Sequence, residues 1–246
     1  MILWIPGMLN TAQIWDEVID TAVALGIPRA AMEVADVTQD TSIAAMAQRA
    51  WSQFGRSGSE PNLVVGFSLG GYVAIEMVAR PPSEAPAMQG LVLVGTTASP
   101  EPVDNLSNRQ RAIAALGKDF AKTVHGIASW GMHEPSEALL AHCKEAMLPV
   151  GAEVAIAQTQ AIMARADHRE ALRRVHLPAL IVHGEQDRIV DPKGSRELAE
   201  LLPRSRRIGL PSCGHMVPKE KSAELAHAVF ELYQQITDPV TSGRPS

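Results

Sequence analysis

The sequence predicts an α/β fold in three layers: a mostly parallel sheet of about six strands, with helices on both faces. Three observations predict it. Short runs of Ile, Leu and Val recur along the chain, as strands buried on both faces require. Stretches with apolar residues at helical spacing lie between them. The 246 residues, 46% of them hydrophobic and 20% charged, have the composition of a globular chain that buries about 70–75% of its unfolded surface.

The strand runs are residues 2–5, 32–35, 63–65, 91–94 and 180–182, with a weaker one at 207–209. After the first run, Ile14, Val18, Ala22 and Leu25 repeat at helical spacing. Pro61-Asn62-Leu63-Val64-Val65 reads as a strand, and residues 69–80 as a helix stopped by Pro81-Pro82. From about residue 100 to 175 the rhythm breaks. Pro100 and Pro102 open a segment without a clear strand, with helical patterns over 109–116 and 154–166. It reads as a helical insertion between two strands. Alternation resumes at Leu177-Pro178-Ala179 and ends in a helix carrying Leu225, Val229, Leu232 and Ile236. The expected division is a core of residues 1–99 and 176–237, an insertion of 100–175, and a flexible tail of 238–246 rich in Pro, Ser, Thr and Gly.

A net charge of −5 argues against a nucleic-acid partner, and Arg204, Arg206 and Arg207 read as a solvated face. No run of about 18 apolar residues predicts a membrane span. The start, Met1-Ile2-Leu3-Trp4-Ile5-Pro6-Gly7, lacks the features of a secretory signal. Two cysteines, Cys143 and Cys213, make no disulfide framework. The expectation is a cytoplasmic protein whose partner is a small-molecule substrate.

The strongest local feature is Gly66-Phe67-Ser68-Leu69-Gly70-Gly71, a G-x-S-x-G pattern. Alone it would occur by chance in roughly one chain in ten to fifteen of this length, given glycine near 7%. Its context decides: a strand leads in and a helix leads out. A sharp strand-to-helix turn needs small neighbours and lifts Ser68 above the sheet. The bland alternative is a glycine-rich turn with a capping serine. No Gly-Lys-Ser/Thr follows, so a phosphate loop is not indicated.

A serine hydroxyl needs a base, and the base an orienting acid. Asp187 lies just past the strand of residues 180–182, where ligands of open α/β sheets bind. Its rivals are Glu185, close to the strand, and Asp191, whose place before Pro192 suits helix capping. His215, after Gly214 in the loop before the final helix, is the candidate base. His125, His133, His142 and His168 fall in the insertion, and His176, His183 and His227 flank strands or sit in helices. No H-E-x-x-H spacing occurs, so no metal and no cofactor are expected. A tetrahedral oxyanion needs two aimed donors. The backbone N–H groups of Leu69 and of Met8, in the loop after the first strand, are the candidates.

Taken together these residues resemble the α/β-hydrolase family, from Ile2 to about Ile236. The resemblance rests on the Gly66–Gly71 elbow, on Gly184-Glu185-Gln186-Asp187, and on Gly214-His215. It implies that the insertion is the family's helical cap, placed between its sixth and seventh strands. It also implies a cofactor-free serine hydrolase acting on a small or medium ester, lactone or thioester. Carbon–carbon bond cleavage, a lyase, or a slow-turnover receptor on the same triad are the alternatives. Met8, Trp130 and Met216 are candidate substrate contacts, with Met132, Met147 and Met163 weighed beside Trp130. Two departures stand out. The family's opening pair of strands is missing, which puts the first strand in the sheet interior. Pro6-Gly7 replaces the His-Gly of many relatives, removing a side chain that props the oxyanion loop.

Overall fold

The computed structural model describes residues 1–54 and 62–237. The expected tail, 238–246, and Pro61 of the expected third strand lie outside the described residues. Six strands form one sheet: β1 (Ile2–Ile5), β2 (Met32–Val34), β3 (Leu63–Phe67), β4 (Gly90–Val94), β5 (Ala179–Gly184) and β6 (Ser205–Leu210). Their order is β2-β1-β3-β4-β5-β6, and every pair is parallel. Thus β1 lies inside the sheet, between β2 and β3, as expected.

The helices are α1 (Asp16–Ala24), α2 (Ile43–Gln53), α3 (Leu69–Ala79), α4 (Leu106–Lys118), α5 (Phe120–Gly131), α6 (Glu137–Met147), α7 (Ala152–Met163), α8 (Arg169–Leu172), α9 (Lys193–Leu201), α10 (Val217–Glu220) and α11 (Ser222–Thr237). Helices α4 to α8 fill the long connection from β4 to β5. The final turn expected of the pattern at 154–166 is absent. Helix α7 stops at Met163 because the Arg165 guanidinium turns back to donate to the Ile162 carbonyl at 2.9 Å.

Strand alternation makes two cores. Ile2, Trp4, Val65, Val92, Val94, Leu180 and Val182 face α1 and α11. Leu3, Ile5, Val64, Leu91, Leu93, Ala179 and Ile181 face α2, α3 and α9. Each fully buried Leu, Ile or Val contributes about 1.5–3 kcal/mol, and β1, β3, β4 and β5 are buried end to end. On the first face Trp4 and Trp15 pack with tilted rings, their centres 5.0 Å apart, and Trp15 meets Phe67 edge to face at 6.3 Å.

The strand order positions the site. From β1 the chain moves outward to β2, then returns past β1 to β3. Right-handed crossovers therefore put α1 and α2 on opposite faces and open a crevice at the C-terminal ends of β1 and β3. All strands are parallel, so the loops after β1, β3, β5 and β6 emerge at that same edge.

Candidate active site

Ser68 sits between β3 and α3 at φ 52°, ψ −112°, a backbone conformation rare for a residue with a side chain. Its N–H donates to the Val94 carbonyl at 2.8 Å, and its own carbonyl accepts from the Thr96 hydroxyl at 3.0 Å. Gly70 permits this turn: a Cβ there would lie 2.1 Å from the Ile5 carbonyl oxygen. The first turn of α3 is thus pressed onto the backbone that leads into the loop of Met8.

The structure brings Ser68, His215 and Asp187 into one hydrogen-bonded chain. His215 Nε2 lies 2.9 Å from Ser68 Oγ, and His215 Nδ1 lies 2.7 Å from Asp187 Oδ2. The carboxylate can only accept, so Nδ1 carries the proton and Nε2 is free to accept from the serine. The second oxygen, Asp187 Oδ1, accepts from the N–H groups of Ile189 and Val190 at 2.8 and 2.9 Å. Both side chains are nearly inaccessible, 8% exposed for His215 and 1% for Asp187, where water competes little for these bonds. The rival acids are employed elsewhere. Asp191 accepts from the Lys193 N–H at 2.8 Å at the start of α9, and Glu185 is exposed.

The acid and base loops are tied to each other. The Gln186 N–H donates to the Cys213 carbonyl at 2.9 Å, and the Cys213 N–H donates to Gln186 Oε1 at 3.0 Å. A Cβ on Gly184 would lie 2.0 Å from the Gly214 carbonyl oxygen. Glu220 clamps the base loop from α10. Its Oε2 accepts from the N–H groups of Gly214 at 2.9 Å and His133 at 2.7 Å, and its Oε1 from Met216 at 2.9 Å. Burial pushes the neighbouring Cys213 thiol well above its usual range, so it is no rival nucleophile.

Ser68 and His215 open onto a cavity of about 150 Å³, which Met8, Arg109, Met147, Thr159 and Met216 also line. Two of the expected substrate contacts, Met8 and Met216, are therefore at the cavity. Trp130 is a correction. It is 55% exposed and stacks beneath Arg188, with the guanidinium 4.6 Å from the ring centre. On α5 it is Ile127 and Gly131, and not Trp130, that line the cavity. Met147 lines the cavity, while Met132 is buried in the core and Ile162 rather than Met163 lines the cavity.

The loop after β1 is held from the insertion. The Leu9 N–H donates to Gln158 Oε1 at 3.0 Å, and the Asn10 carboxamide donates to the Met8 carbonyl at 2.7 Å. The prop lost with Pro6 is thus supplied by other residues. Among the described residues the Met8 N–H has no acceptor. Leu69 is the first residue of α3, so its N–H has none within the helix. Sequence reasoning passed over Gln158, Glu220 and Gln186. Only Gln158 left a signal there, as a polar residue on the apolar face of a helical pattern.

Among the described residues no cluster of His, Cys, Asp or Glu is arranged to hold a metal ion, and no helix is long and apolar enough to cross a membrane.

A family described as serine aminopeptidase, S33, matches residues 28–222. The chain belongs to this family of α/β-hydrolases. A pimeloyl-[acyl-carrier protein] methyl ester esterase of Nitrosomonas europaea is 30% identical over 165 residues, 62% of this chain and 63% of that one. Its counterpart from Aromatoleum aromaticum is 28% identical over 181 residues, covering 62% and 66%. The chain therefore spans less than two thirds of either relative. Among solved structures, a thermophilic esterase from Thermogutta terrifontis superposes with a TM-score of 0.82 at 18% identity, over 96% of this α/β-hydrolase and 90% of that chain. An esterase from Exiguobacterium antarcticum gives 0.81 at 14% identity, over 95% and 91%. At such identities the likeness is one of fold.

Proposed function

We propose that the protein is a cofactor-free carboxylic ester hydrolase with Ser68 as nucleophile, His215 as base and Asp187 as its orienting acid. The observation that carries the reading is the continuous Oγ–Nε2 and Nδ1–Oδ2 contact, 2.9 and 2.7 Å, at the wall of a mainly apolar cavity.

Ser68 Oγ attacks the acyl carbon as its proton passes to His215 Nε2. The N–H groups of Met8 and Leu69 receive the negative oxygen. Each such donor supplies about 3–4 kcal/mol of barrier lowering. Collapse expels the alcohol, which takes the proton from His215. A water molecule then attacks the acyl-serine, gives its proton to His215, and the acid departs with Ser68 restored. Asp187 holds the imidazole in the needed tautomer and stabilises its cation.

The cavity, about 150 Å³, suits a small acyl or alcohol group. The substrate for which the relatives are named, a methyl ester, has a leaving group of that kind. Helices α4 to α7 supply Arg109, Ile127, Met147 and Thr159 to the wall. This supports reading residues 100–175 as a cap that selects substrate over a core of 1–99 and 176–237. The two free cysteines fit a cytoplasmic setting.

Ser68→Ala, assayed on p-nitrophenyl esters of increasing acyl length, should lower kcat by about 10⁴-fold or more. The wild type should be labelled stoichiometrically by a fluorophosphonate and the variant should not. Undiminished turnover by the pure variant overturns the assignment.

A further inference from the structure

Gln158 is completely buried on α7, yet it is a polar side chain on an apolar helix. Its two ends meet backbone groups of opposite polarity. Oε1 accepts from the Leu9 N–H at 3.0 Å, and Nε2 donates to the Val37 carbonyl at 3.0 Å. A carboxamide is an uncharged side-chain group that offers an acceptor and a donor from a single planar head. A carboxylate would face the Val37 oxygen with a second acceptor, and an aliphatic side chain would leave both backbone groups unpaired.

Leu9 directly follows Met8 and stands at φ 62°, a left-handed conformation that the surroundings must hold in place. The next residue of α7, Thr159, lies against the Met8 sulfur at 3.6 Å and lines the cavity. The insertion thus grips the loop after β1 at the residue that fixes where the Met8 N–H points. Pro6 offers no polar side chain for this task, and its backbone has no N–H.

We propose that Gln158 is a positioning residue for the oxyanion loop: it reaches across from the insertion, pins Leu9, and so aims the Met8 N–H at the developing oxyanion. The proposal rests on the ester-hydrolase reading. The insertion then shapes the barrier as well as the pocket, because an aimed donor acts on the transition state and little on the bound ester.

The test is steady-state hydrolysis of a short p-nitrophenyl ester, with kcat expressed per site titrated by a fluorophosphonate, so that unfolded protein does not count. Gln158→Leu should lower kcat by about 10- to 100-fold with KM held within about threefold. Where that variant does not fold, Gln158→Asn serves, its head one methylene too short to span both backbone groups. Gln158→Glu keeps the acceptor for Leu9 and should recover part of kcat without moving KM. Per-site kcat equal to wild type in the Leu or Asn variant, or a loss carried by KM alone, overturns the proposal. A wild type that is neither labelled nor active overturns the hydrolase reading instead.

Discussion

Ser68 holds its unusual backbone angles at a cost of about 1–3 kcal/mol, tolerated because the Val94 and Thr96 bonds and the close packing of Gly70 fix the turn around it. A direct expectation follows. Replacing Ala by Gly normally destabilises a protein, by about 0.5–1 kcal/mol in a regular element. Here the sign should reverse. Ser68→Gly and Ser68→Ala both lose the hydroxyl, but only Gly relieves the strain. In urea unfolding the Gly variant should be the more stable of the two by about 1 kcal/mol. Equal or reversed stabilities would show that the turn stores no strain. The serine itself was legible in the sequence because its glycines and its place between a strand and a helix are local requirements. The roles of Gln158 and Glu220 were not, even though Gln158 stands out as polar on an apolar face, because their partners are backbone groups that only the tertiary fold brings near.

Two loops and one short helix carry the acid and the base. The Gln186–Cys213 exchange makes the acid and base turns behave as one piece, and α10 anchors that piece through Glu220. This carboxylate accepts three backbone N–H groups, and bonds to a charged acceptor are each worth about 1.5–3 kcal/mol when water is excluded. Glu220 is only half-buried, so water compensates in part. Glu220→Ala should cost roughly 3 kcal/mol of unfolding free energy, measured by urea denaturation, and should lower kcat by loosening His215. A variant as stable and as active as wild type would show the clamp to be idle. Element boundaries follow the same division. Strands were readable from apolar runs, whereas α7 ends at Met163 because a side-chain cap from Arg165 closes it, a device that periodicity does not encode.

At the scale of the whole molecule, the parallel sheet was readable from the alternation of apolar runs with helical patterns, and the interior place of β1 came from the family resemblance and not from any pattern in the runs. The same sheet buries charge-capable groups that link stability to pH. His183, the last residue but one of β5, has its Nε2 3.2 Å from an Arg207 nitrogen. Burial first, and the Arg207 cation second, hold its pKa below the ordinary 6.5. The neutral imidazole is therefore the folded form, and the unfolded chain binds the extra proton first. Stability is fully present above the unfolded value and is lost as pH falls toward the folded one. Urea midpoints should drop on acidification from about pH 7 to about pH 5, and His183→Gln should flatten that drop. An unchanged slope would exclude His183 as a source of acid sensitivity.

The contributors to the proposed chemistry enter the chain at Met8 and are not complete until His215, with Glu220 and α11 still to follow. No shorter stretch of polypeptide can hold the donor, the hydroxyl and the imidazole together. A chain emerging from the ribosome is therefore inert toward esters until the stretch through His215 has been synthesised, and recovery of turnover after dilution from denaturant reports the joining of these distant segments rather than the formation of any one of them.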